Sequence, residues 1–111
     1  MTNNNKKPSK KTQIKTDLLD QLERNGTVGQ YYIDLVNDYM ELWDTKKKLI
    51  ADIKDRGVTV KYQNGENQWG YKKNDSVEQL LKVNQQMLKL LDALGIKPTQ
   101  AGDDDDDNME M

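Results

Sequence analysis

The sequence predicts a mainly α-helical fold: an antiparallel pair of amphipathic helices with an intervening β-hairpin, a short N-terminal helix and flexible charged termini. Three observations carry that prediction. Apolar residues recur at alternating steps of four and three over residues 28–56 and at helical spacing again over 77–94, the mark of one helical face. Between them, in "GVTVKYQNGENQWGYKKN" (57–74), the period drops to two around Asn64-Gly65. Finally, the charges are sorted to the ends. Residues 1–15 carry five lysines and no acid, and residues 103–111 carry six acids and no base.

The elements follow in order. Residues 1–15 hold one aliphatic side chain, Ile14, too little to offset chain entropy, and read as a flexible basic arm. Thr16 then suits an N-cap, with Asp17 and Asp20 at the positive end of a short helix that Asn25-Gly26 terminates. The main helix runs from Val28 to Arg56 behind a Thr27 cap. Its stripe is Val28, Tyr32, Leu35, Tyr39, Leu42, Lys46, Leu49 and Ile53, widened by Tyr31, Val36, Trp43 and Ile50. The opposite face, from Gln30 through Asp34, Glu41 and Asp44 to Asp55, has no apolar residue. Such a helix is ~40 Å long.

A two-residue Asn64-Gly65 loop is a strong hairpin signal. It pairs Val60 with Trp69 and Val58 with Tyr71, collecting the apolar side chains on one face and Lys61, Gln63, Gln68 and Lys72 on the other. Asn74 or Asp75 caps the last helix, with Asp75 and Glu78 spaced for a capping box. Val77, Leu80, Leu81, Met87, Leu88, Leu91 and Leu94 form its stripe, Asn84 interrupts it, and Gly95 and Pro98 end it. The predicted organisation is therefore a basic arm (1–15), a helical oligomerisation domain (16–98) with its hairpin at 58–72, and a disordered acidic tail (99–111).

Composition narrows the chemistry. The chain has 111 residues, enough for one domain, with 34% hydrophobic and 32% charged residues. A core so thin favours association with further copies. The absence of His and Cys removes the commonest general base and metal ligand together with thiolate chemistry. No enzyme activity and no cofactor are expected. No apolar run approaches the ~20 residues of a membrane span, and the start of the chain does not read as a secretory signal. A cytoplasmic protein without membrane contact is the expectation.

The segment "QYYIDLVNDYMELWDTKKKLIADIKDRGVTVKYQNGENQWGYKKN", followed by "LLKVNQQMLKLLDALGIKP", resembles the small terminase subunit of tailed double-stranded DNA phages. The likeness covers about residues 28–98. Its most specific parts are the long helix ending in "DIKDRGV", the "YQNG" turn and "WGYKKN". The resemblance implies a ring-forming, non-enzymatic part of a DNA-packaging motor in the host cytoplasm, a homo-oligomer larger than a dimer. Its implied partners are double-stranded viral DNA and the large terminase subunit, the ATPase–nuclease that it modulates. Many members of that family carry a fuller N-terminal DNA-binding domain than the basic arm and short helix found here. Two other classes stay open on the residues alone: a coiled-coil scaffold that binds no nucleic acid, and a small transcriptional regulator.

Candidate nucleic-acid contacts are Lys6, Lys7, Lys10, Lys11 and Lys15 on the arm and Lys61, Lys72 and Lys73 on the hairpin. Lysines neutralise phosphates without reading sequence. The blander reading is a solvated tail and a charged β edge that resists aggregation. Tyr32, Leu35, Tyr39, Leu42, Trp43 and Trp69 are the candidate oligomer interface. Asp103, Asp105 and Asp107 imitate the start of a calcium loop, but Asn108 stands where its glycine belongs, so no metal site is expected. That tail suits docking on a basic partner, competition with DNA for the arm, or plain solvation. Lys46 and Asn84 either fix register or sit at stripe edges.

Overall fold

A computed structural model describes residues 8–98. It contains α1 (Lys10–Arg24), α2 (Gln30–Arg56), β1 (Thr59–Gln63), β2 (Trp69–Lys73) and α3 (Asp75–Leu94). The mainly helical architecture with a hairpin between two long helices is the one the periodicities predict. The hairpin reverses the chain, so α3 returns along α2, and α1 lies against the first half of α2.

The core is small. Leu18 and Leu22 of α1, Val36 and Met40 of α2 and Leu94 of α3 form one buried cluster, and Leu22 and Val36 are fully buried. Tyr32, Leu35, Tyr39, Trp43, Leu91 and Ile96 pack around it. The sequence reading placed Val36 at the margin of its stripe and missed Met40 and Leu90, both buried.

Two helix starts differ from expectation. Helix α1 starts at Lys10, so Lys10, Lys11 and Lys15 lie on a helix and not on an arm; Lys6 and Lys7 lie outside the described residues. Ser9 is the cap in place of Thr16, its Oγ accepting from Thr12 N at 3.1 Å. Lysines in a first turn oppose the helix dipole. Here Lys11 Nζ donates to Asp44 Oδ2 of α2 at 2.6 Å, and half-buried Ile14 packs on the core, so tertiary contact carries the extra turns. At the other end Thr27 N donates to Leu22 O, closing the turn after α1. Helix α2 begins after Gly29 in place of Thr27; the φ of Gly29, 117°, disfavours any side chain there. Asn74 caps α3, accepting from Ser76 N at 2.9 Å, so the Asp75–Glu78 box is not formed. Gly95, at φ 72°, ends α3 as predicted, with Ile96 N donating back to Leu91 O.

The hairpin register is the largest correction. The strands pair Gln63 with Trp69, Tyr62 with Gly70, Lys61 with Tyr71, Val60 with Lys72 and Thr59 with Lys73. The loop therefore spans residues 64–68, not the Asn64-Gly65 pair alone. Asn64 N donates to Gln68 O at 2.6 Å, and Gln63 Nε2 donates to the carbonyls of Gly65 and Glu66. Side-chain bonds to the loop backbone thus compete with the tighter turn. Gly70 supplies a second reason. A Cβ there would meet the Tyr62 ring at 3.1–3.3 Å, so the observed register gives Tyr62 the one partner across which its ring can lie.

Candidate nucleic-acid interface

The altered register changes what the hairpin presents. Thr59, Lys61, Gln63, Trp69, Tyr71 and Lys73 share one face, because directly paired residues point the same way. Lys61, expected opposite the aromatics, sits among them: its Nζ lies 4.7 Å from the Trp69 ring centroid. Trp69 and Tyr71 meet edge-to-face at 5.9 Å. Both are exposed, at 57% and 65%. Within the single chain this aromatic face packs on no helix. Lys72 falls on the other face with Val60, Tyr62 and Gly70.

A polar joint fixes the base of this hairpin. Among the described residues Asn74 is the buried polar one, 1% exposed, and its side-chain amide makes four hydrogen bonds. Its Nδ2 donates to Asp52 Oδ2 at 3.1 Å and to Gly57 O at 2.9 Å. Its Oδ1 accepts from Ser76 N and from Arg56 Nη2. The Asn74 backbone N–H donates to Val58 O at 2.8 Å, extending the strand ladder by one pair. Asp52 gathers the other side: Arg56 donates to both its oxygens at 2.7 and 2.8 Å, and Ser76 Oγ donates at 2.7 Å. The Arg56 guanidinium, followed by the Ser76 hydroxyl and the Asn74 amide, holds the Asp52 carboxyl well below the usual carboxylate range. These groups tie the end of α2, the hairpin base and the start of α3 together. The sequence reading took Asn74 for a helix cap only; its position between "KK" and an acid-rich helix start gave no sign of the other bonds.

The remaining predicted residues divide by place. On α1, Lys10 and Lys15 are exposed, while Lys11 is engaged with Asp44, which raises its pKa. The α1 lysines and the hairpin lysines are thus two separate groups, one beside the middle of α2 and one beyond its end. Of the proposed interface residues, Tyr32, Leu35, Tyr39 and Trp43 are partly buried against the core, and Leu42 is half-buried. Trp43 also carries Lys47 Nζ at 5.2 Å from its ring. Leu81 and Leu88, two turns apart on α3, are 59% and 65% exposed. Lys46 and Asn84 come together across α2 and α3, lining one groove with Tyr39, Met87, Leu88 and Leu91. Residues 103–108 lie outside the described residues. Among the described residues, no group of three or more acidic side chains is placed to hold a metal, and no helix is long and apolar enough to cross a membrane.

The described residues thus form a small helical body that carries a basic, aromatic β-hairpin and leaves apolar helix surface uncovered. Residues 15–103 match the family described as "Phage terminase, small subunit". The chain belongs to that family, which gives it a role in phage DNA packaging. No curated protein matches the chain, and no solved structure does.

Proposed function

We propose that the protein is the non-enzymatic DNA-binding adaptor of a phage packaging motor. It acts as a homo-oligomer larger than a dimer, recognises viral DNA and regulates the large terminase subunit. The family assignment over residues 15–103 carries this reading. Two physical features support it. The chain leaves Leu81 and Leu88 of α3, Tyr31 in the first turn of α2 and Val28 just before it largely exposed; apolar surface of this kind is characteristic of proteins that associate. Its hairpin also offers Lys61, Lys72 and Lys73 to solvent, suited to neutralising phosphates.

The two halves of the reading are tested together. Light scattering should give a mass well above two chains, and Leu81→Asp with Leu88→Asp should lower it. An electrophoretic shift with duplex DNA should weaken steeply as salt rises. A monomer that shifts no DNA at low salt would overturn the proposal. Regulation of the partner is read as a change in the ATPase rate of the large subunit on addition of this protein and DNA.

A further inference from the structure

We infer that the hairpin's Trp69–Tyr71 face is a duplex-DNA contact surface, and not a packing face between subunits. This rests on the proposed DNA-binding function and names the part of the chain that performs it. Had Val58, Val60, Trp69 and Tyr71 shared a face free of charge, burial against a second copy would be its natural fate. Instead Lys61 and Lys73 flank the aromatic pair, and the six residues of that face include no acid. Burying two lysines without carboxylate partners is costly. The same lysines are well placed against a polyanion, and the exposed rings add flat surface for sugars and base edges.

Charge complementarity favours this surface over α1. On α1, Lys11 is already paired with Asp44, and the helix carries Asp17 and Asp20 of its own. On the hairpin, Lys61 rests on the Trp69 ring, a contact that leaves its charge available. Shape agrees as well. Two paired strands lie ~4.8 Å apart, and the major groove, ~12 Å wide, admits a two-stranded ribbon. The Asn74–Asp52–Arg56 joint holds the ribbon's base against both long helices, so its face is presented in one orientation. Less ordering entropy is then lost on binding than for a loose loop.

The chain has two tryptophans, Trp43 and Trp69, and Trp43→Phe leaves Trp69 as the sole reporter. Titration of this variant with duplex DNA of random sequence at low salt should change the Trp69 emission, and added salt should reverse the change. The double variant Lys61→Ala, Lys73→Ala should bind about tenfold more weakly at low salt. Its slope of log affinity against log salt should flatten by about 1.8, the loss of two phosphate contacts. If the duplex binds while the Trp69 emission and the salt slope of the double variant stay as they were, the hairpin face is not the contact and the DNA-binding function stands. If Trp69 emission instead follows protein concentration and ignores DNA, a second copy covers the face and the inference fails. Absence of duplex binding by every form overturns the inference and the DNA-binding function together.

Discussion

The two ends of the long helix α2 are held by different physics. At its first half, Leu22, Val36 and Leu94 lock three helices together by apolar burial. At its last turn, Asp52, Arg56, Asn74 and Ser76 tie the hairpin down with directional hydrogen bonds, while the aromatic residues stand outside in water. Burial tolerates some sliding, since hydrophobic contact is not directional. A hydrogen-bonded joint fixes angle as well as distance, but only while each partner is present. The apolar end therefore sets whether the chain folds, and the polar end sets where the hairpin points.

The contrast is broken most forcefully at the apolar end. Leu22→Ala removes a fully buried side chain and should cost about 2–5 kcal/mol, measured by chemical denaturation; in so thin a core the chain should be largely unfolded at moderate temperature. Next comes the joint. Asn74→Ala strips four side-chain bonds and leaves part-buried partners unmet, an effect of about 1–3 kcal/mol. Amide exchange should accelerate over 57–76 well before it does around Leu22, because the loss is local.

Acid offers a graded version of the same test. The folded Asp52 carboxyl titrates below its unfolded value of about 3.9. Its contribution is therefore complete above that value and is lost as pH falls below it. Protection of the hairpin-base amides, taken relative to their intrinsic exchange rate, should fall below about pH 4, and Asp52→Asn should remove that step. The smallest effect belongs to Trp69→Ala. A ring that is 57% exposed should change the stability of the single chain by no more than about 0.5 kcal/mol. A large loss would mean that the ring is buried in the assembled protein.

Legibility followed the same division. Helical periodicity found α2 and α3 because burial writes itself into spacing: Met87 and Leu94 sit where a period of 3.6 places them. It gave the start of α1 incorrectly because residues 1–15, with Ile14 as their one aliphatic side chain, read as an arm. The earlier start came from Asp44, distant in sequence, meeting Lys11. Asn64-Gly65 correctly announced a hairpin but not its register, which depended on Gln63 bonding the loop and Tyr62 lying across Gly70. The joint was invisible because Asp52 and Asn74 belong to no common period and meet only after the hairpin has closed. Of the candidate contacts, the lysines were legible as charge, but their partners were not. Lys11 is committed to α2, whereas Lys61 stands beside Trp69.

The central claim is that the hairpin end faces outward to work and the helical end faces inward to fold. It is tested most directly on Trp69→Ala, by measuring thermal midpoint, mass in solution and affinity for duplex DNA on one preparation. The account predicts an unchanged midpoint, an unchanged assembled mass and weaker DNA binding. A lowered midpoint or a dissociated assembly with DNA affinity intact would contradict it.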